Sequence, residues 1–260
     1  MKIGFFDSGV GGMTVLWRAL RLLPREDYIY FADTAHVPYG EKTKSEVRGF
    51  VFEAVEFLAG KNIKALVIAC NAATSAAAKE LRKEFGFPII GIEPAVKPAI
   101  QRSQQKGKRV LVLSTHLTLR EEKYNNLVAR LDDAGLVDGL ALPGLVAFAE
   151  RFEFRPEVVL PYIKEELARF TVERYGTVVL GCTHFPLFTD MLRQLFPAGT
   201  DIIDGGLGTA MNLKRILTEQ KLLNGGSGEI EYYSSGSKIE DGEKLDRYSG
   251  LLARLDHIYG

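Results

Sequence analysis

Two stretches decide the fold: Ala65-Leu66-Val67-Ile68-Ala69-Cys70-Asn71-Ala72-Ala73-Thr74, and Val178-Val179-Leu180-Gly181-Cys182-Thr183-His184. Each is an unbroken apolar run that ends abruptly in a small, reactive or polar residue. A continuous run of this length suits a strand buried on both faces, and the segment after the first, Ser75 to Phe85, carries helical spacing. Similar runs recur at Lys2 to Phe6, Tyr28 to Phe31, Pro88 to Ile92, Arg109 to Leu113 and Asp201 to Ile203. Between them lie longer amphipathic segments, so the chain reads as α/β with a mainly parallel sheet flanked by helices.

The two defining stretches also match each other. Cys182 follows its run 112 positions after Cys70, and at a similar offset Ile89 to Glu93 matches Asp201 to Asp204, and the first strand matches Arg109 to Leu113. A repeat at this scale predicts two similar α/β halves facing each other, with the cysteines at equivalent points. Two prolines near Pro94 to Pro98 mark the boundary, giving residues 1–97 plus 212–260 as the first domain and 98–211 as the second. Asn224-Gly225-Gly226-Ser227-Gly228 reads as a loop, followed by a strand over Glu229 to Tyr233 and a helix from about Ile239 to Leu252.

Composition narrows the function. Lysine plus arginine and aspartate plus glutamate are balanced at 33 each in 260 residues, with no long run of one sign, which argues against nucleic acid or an anionic membrane as a partner and favours a small molecule. The opening apolar stretch meets Asp7 too early for a signal peptide, and no later run reaches a membrane span; a cytoplasmic protein is expected. In that reducing setting the 2 cysteines are not expected to form a permanent disulfide.

In open parallel sheets ligands bind outside the carboxyl ends of the strands. Those positions hold Asp7-Ser8-Gly9, Cys70-Asn71, Glu93-Pro94, Ser114-Thr115, Cys182-Thr183-His184 and Asp204-Gly205-Gly206. Gly9-Val10-Gly11-Gly12 lacks the Lys-Ser/Thr of a P-loop and the third glycine of a dinucleotide fingerprint; a tight turn whose backbone N–H groups meet a carboxylate fits better. No Cys-x-x-Cys or His-x-x-x-His clip accompanies the 2 Cys and 4 His, so no metal is expected, and no lysine stands in a readable Schiff-base context. Asp7 reads either as a turn residue or as a carboxylate assisting a thiol, and His184 either as a packing residue or as a partner to Cys182. Free cysteines are most often small buried hydrophobes, and Glu150 is silent on its own.

Phe6-Asp7-Ser8-Gly9-Val10-Gly11-Gly12, Asp33 with Pro38-Tyr39-Gly40, Ala69-Cys70-Asn71, Glu93-Pro94 and Leu180-Gly181-Cys182-Thr183-His184-Phe185-Pro186-Leu187 together resemble the glutamate racemase family of the aspartate/glutamate racemase superfamily, over nearly the whole chain. The resemblance implies two pseudosymmetric flavodoxin-like domains with the active site between them. It also implies a homodimer and interconversion of L- and D-glutamate without cofactor, supplying peptidoglycan. It makes Cys70 and Cys182 the paired acid and base, with Asp7 assisting the first and Glu150 with His184 the second. Substrate contacts follow at Ser8, Pro38, Tyr39, Gly40, Asn71, Ala72, Thr74, Thr115, Thr118 and Thr183. Ala72 stands where the family usually has Thr, removing a hydroxyl from the expected site. The alternative is a racemase or isomerase of the same superfamily acting on aspartate or another small amino or dicarboxylic acid.

The chemistry accords with that pairing. Racemisation takes a proton from one face of Cα and returns another to the opposite face, so one group must begin as base and the other as acid. A thiol with a pKa near 8.5 serves in either role once its surroundings move it.

Overall fold

The computed structural model describes residues 1–132 and 135–260 and contains two sheets. The first half runs β1 (Lys2–Asp7), α1 (Met13–Leu22), β2 (Tyr28–Ala32), α2 (Lys44–Gly60), β3 (Ile63–Ile68), α3 (Asn71–Glu84) and β4 (Ile89–Gly91). The second runs α4 (Val96–Lys106), β5 (Arg109–Ser114), α5 (His116–Arg120), α6 (Glu122–Leu131), β6 (Val137–Ala141), α7 (Pro143–Glu150), α8 (Pro156–Leu167), β7 (Tyr175–Leu180), α9 (Thr189–Arg193) and β8 (Asp201–Asp204). The chain then returns through α10 (Gly206–Glu219), β9 (Ile230–Ser234), β10 (Ser237–Lys238) and α11 (Gly242–Tyr259) to the first sheet.

Strand order is β10-β9-β2-β1-β3-β4 in one sheet and β6-β5-β7-β8 in the other. Removing the two returning strands leaves the same order in both, with β1 matching β5 and β3 matching β7. All pairings are parallel except β9 with β10. In each half the connection reverses direction between the two central strands, and a crevice opens at their carboxyl ends. Asp7, Ser8 and Cys70 stand at that point in the first sheet; Thr115 and Cys182 stand there in the second.

The apolar runs are buried because helices cover both faces: every residue of β3 and of β7 is buried. One hydrophobic core joins the halves, since Phe5 and Val67 of the first sheet and Leu111 and Val178 of the second belong to the same cluster. Helix α3 buries Ala73, Ala76, Ala77 and Ala78, small side chains that let it lie close to α2 and to strands β3 and β4. Helix α10 packs as one piece against α1, β3 and β4, so residues 206–211 sit with the first sheet. Pro98 lies within the first turn of α4, where a missing backbone N–H costs nothing.

Sequence periodicity did not show β6, whose Asp138 and Gly139 break any apolar run. It is an edge strand held partly by side chains: Asp138 accepts from Arg109 Nε at 2.7 Å and from the Tyr175 hydroxyl at 2.8 Å. The last helix begins at Gly242, where the Asp241 side chain caps the Lys244 N–H at 2.8 Å, because Ile239 is used in a backbone bond to Tyr232 of β9.

Candidate active site

Cys70 and Cys182 line one cavity between the two halves, together with Ser8, Pro38, Tyr39, Gly40, Asn71, Ala72, Thr115, Thr118, Thr183 and His184. Gly181 of the Cys182 motif and Val146 complete its wall, and Val146 carries no sequence signal beyond its apolar character. Both thiols are free and buried, at 6% and 8% exposure.

The two thiols have different surroundings. Cys70 ends the loop after β3 and caps α3, its Sγ accepting from the Ala73 N–H at 3.5 Å. Burial, with the nearby Asp7 charge adding to it, pushes this thiol up to about 12, so it holds its proton at neutral pH. Cys182 faces an imidazole: His184 Nδ1 is 3.6 Å from Sγ, and its Nε2 is 2.6 Å from Glu150 Oε1. Burial opposes a charge on His184, but the hydrogen bonds to Cys182 and Glu150 prevail and raise its pKa well above the ordinary imidazole value. An imidazolium so placed points an N–H at the sulfur.

Asp7 lies fully buried at the end of β1 and spans the junction. Its Oδ1 accepts from the Thr183 hydroxyl at 3.1 Å and its Oδ2 from the Gly9 N–H at 3.2 Å. Burial pushes its carboxyl up to about 6 although the His184 charge pulls the other way. The Gly9 N–H bond is a turn contact and the Thr183 bond reaches across the junction, so Asp7 serves the turn after β1 and also faces the second half; α1 has no side-chain cap.

The glycine turn meets a carboxylate of the protein itself. The Val10 N–H donates to Glu150 Oε1 at 2.8 Å, across 140 positions of sequence. A Cβ at Gly9 would come 1.9 Å from that oxygen, and one at Gly11 would come 2.4 Å from His184 Nδ1, so side chains at either position would expel the assembly. Thr14 also crosses the junction, donating to the Thr183 carbonyl at 3.0 Å.

The hydroxyls of Thr74 and Tyr39 are both engaged within the protein. Thr74 does not face the thiols: its hydroxyl donates to Ile68 O at 3.1 Å and accepts from the Ile92 N–H at 3.2 Å, tying β3 to β4. It lines a neighbouring cavity with Ser75, Ile92 and Glu121 instead. Tyr39 does border the thiol cavity, but its hydroxyl is committed to Asp33 at 2.6 Å, leaving the ring and backbone to meet a ligand. Asp33, to which no role was assigned, also holds His36 at 2.9 Å and Ser235 at 3.0 Å and so steadies the Pro38-Tyr39-Gly40 wall.

One polar atom is left over. Among the described residues, Asn71 Oδ1 is the buried side-chain acceptor with no partner, and Asn71 borders both cavities. An unsatisfied buried acceptor costs about 1–3 kcal/mol, which a bound donor such as an ammonium group would recover. Among the described residues no cluster of three or more His, Cys, Asp or Glu has the arrangement of a metal site.

The family model described as Asp/Glu/Hydantoin racemase matches residues 13–211. The chain is 56% identical over 256 residues to glutamate racemase 2 of Bacillus subtilis, covering 98% of this chain and 97% of that one. It is 54% identical to the glutamate racemase of Halothermothrix orenii, covering 98% and 100%. The crystal structure of glutamate racemase from Thermus thermophilus in complex with β-chloro-D-alanine superposes with a TM-score of 0.77 at 34% identity, over 98% of this chain and 92% of that one. With two thiols lining one cavity between matched α/β halves and likeness along nearly its whole length, the chain belongs to the Asp/Glu/hydantoin racemase family.

Proposed function

We propose that this chain interconverts L- and D-glutamate by moving protons between Cα and two thiols, Cys70 and Cys182, without a cofactor. The observation that carries this reading is that the two cysteines border one cavity from opposite halves, as proton exchange at two faces of one carbon requires. The glutamate racemase relatives, alike over the full chain, support the substrate.

The family resemblance suggests the direction of the first proton transfer. Cys182, beside the His184 imidazolium, begins as base and takes the α-proton of L-glutamate; Cys70, held protonated, delivers its own to the other face and D-glutamate results. The reverse reaction begins with the proton states exchanged. Charge that develops toward the α-carboxylate as the C–H bond breaks is met by fixed backbone N–H groups near Ser8, Asn71 and Thr183. Asn71 Oδ1 takes an N–H of the substrate ammonium. Thr115 and Thr118, bonded to each other at 3.1 Å, and the Pro38 to Gly40 wall hold the distal carboxylate.

The reading extends to the cell: D-glutamate for peptidoglycan, made in the cytoplasm by a homodimer. Among the described residues no helix is long and apolar enough to cross a membrane. Analytical ultracentrifugation at micromolar protein tests the dimer, and a single species near the 28.8 kDa chain mass would remove it.

The test of the activity is proton NMR of L-glutamate in deuterated buffer with chelator-treated, PLP-free protein, followed in parallel by circular dichroism, with L-aspartate as control. Loss of the α-proton signal together with loss of optical activity on glutamate is expected. Turnover of aspartate alone would change the substrate, and silence on both would overturn the proposal.

A further inference from the structure

The Glu150 carboxylate that faces His184 is held from the opposite half of the molecule by a single peptide group. Tyr30, in the middle of β2 and completely buried, donates its hydroxyl to the Gly9 carbonyl at 2.7 Å. The N–H of that same peptide unit, carried by Val10, donates to Glu150 Oε1 at 2.8 Å. The same oxygen lies 2.6 Å from His184 Nε2, and the far side of the ring meets Cys182. We infer that Tyr30 is a positioning residue for the second thiol, fixing the Gly9–Val10 peptide so that Glu150 is held against His184.

A glycine on one side of this peptide leaves its plane free to turn, so one hydrogen bond does not fix it. The Tyr30 hydroxyl supplies the second anchor, and a carbonyl that accepts a hydrogen bond makes the attached N–H a better donor. The alternative is that Tyr30 is simply a buried tyrosine whose hydroxyl needed a partner. Its ring does pack edge-on against Tyr232 and Tyr248, at 6.3 Å and 6.0 Å between centroids. Packing alone does not account for the hydroxyl meeting the one peptide whose other end meets the carboxylate behind the imidazole. Burial and the nearby Asp7 keep Tyr30 protonated and therefore a donor.

The inference rests on the reading that Cys182 is one of the two proton-transferring groups. The titratable groups facing this arrangement are Cys182 beside His184, Glu150 from α7, Asp7 from β1 and, against Glu150, Tyr248 from α11. Freed of the Val10 N–H, Glu150 at the end of α7 is able to swing away, and the imidazolium loses its counter-charge.

The experiment compares Tyr30→Phe with Tyr232→Phe, a hydroxyl deletion in the same aromatic cluster, by nitrogen-15 histidine NMR and by glutamate kinetics. Tyr30→Phe is expected to move the His184 titration down by about one pH unit and to lower kcat/KM about tenfold, the scale of one lost buried hydrogen bond. The loss is the same for L- and D-glutamate, because enantiomers have equal free energy. Tyr232→Phe is expected to move neither quantity.

An unchanged or raised His184 titration in Tyr30→Phe, even with a lower Tm, overturns the inference and leaves Tyr30 a packing residue. A lowered titration in a protein whose wild type does not turn over glutamate would support the positioning role and remove the substrate reading alone. Should Tyr30→Phe fail to fold, the wild-type Val10 amide decides: its proton shift follows the His184 titration if the chain of contacts holds, and an invariant Val10 amide overturns it.

Discussion

The loop after β3 and the loop after β7 occupy the same place in two copies of one topology, yet they support their thiols by different means. Two positions beyond Cys70 stands Ala72, a methyl group; two positions beyond Cys182 stands His184, an imidazole. The first thiol is left to burial and the Asp7 charge, which hold its proton in place, while the second is given a proton donor backed by a carboxylate. Under the proposed mechanism, a symmetric scaffold thereby presents a base and an acid to opposite faces of one carbon. The lesson is that backbone symmetry supplies the geometry of two-sided proton transfer, and side-chain asymmetry supplies its starting state.

Removing either thiol tests that comparison most severely. Cys70→Ala and Cys182→Ala are each expected to lower racemisation by about 10³-fold or more, within the usual reach of acid-base catalysis. The residual chemistry should differ: Cys70→Ala keeps α-proton exchange on L-glutamate, and Cys182→Ala keeps it on D-glutamate, both read by proton NMR in deuterated buffer. Full racemisation in either variant would end the two-thiol account, and exchange on the same enantiomer in both would end the asymmetry.

A finer break comes from His184→Asn, expected to cost about 10² in kcat. Its signature is a primary isotope effect from α-deuterated L-glutamate that rises more than the one from α-deuterated D-glutamate, since only Cys182 loses its partner. Equal rises would show that the imidazole serves both thiols.

Asp7 sharpens the comparison through stability. Its folded pKa of about 6 lies above the ordinary 3.8, so the native state keeps a proton that the unfolded chain releases. The contribution of Asp7 to stability is therefore full below about pH 3.8 and declines as pH rises through 6, by about 3 kcal/mol if the whole shift is realised. Asp7→Asn should remove that decline and melt higher than wild type at pH 8 while losing activity, as urea titrations across this pH range would show. A parallel decline in the variant would assign the effect to another group.

The smallest expected effect concerns the residue that separates the two loops. Ala72→Thr adds a hydroxyl at the cavity wall, and a new bond to a charged substrate group should lower KM by about tenfold at most. A rise in KM accompanied by a lower Tm would mean that the wall, only 5% exposed at Ala72, has no room for the added atoms.

How much of this was legible follows from what kind of contact each feature is. The buried strands, the repeat and the two thiols at equivalent strand ends could be read from residue order because hydrophobic period and strand-end position are local properties. Strand β6 was not legible, since an edge strand with Asp138 and Gly139 carries no apolar run to read. The position of Thr74 beside the Cys70 motif does not tell where its hydroxyl turns, and in the fold two backbone groups, one of β3 and one of the loop after β4, engage it.

By itself the sequence determined the α/β class, the doubling of the fold and the pair of cysteines at its centre, because burial on both faces of a strand leaves a pattern in neighbouring residues. Only the tertiary structure decided which thiol is backed by an imidazole and carboxylate held in place, and by what. The Val10 amide, the Tyr30 hydroxyl, Glu150 and His184 meet only when the two halves dock, and hydrogen bonds across 140 positions leave no periodic trace in the chain that makes them.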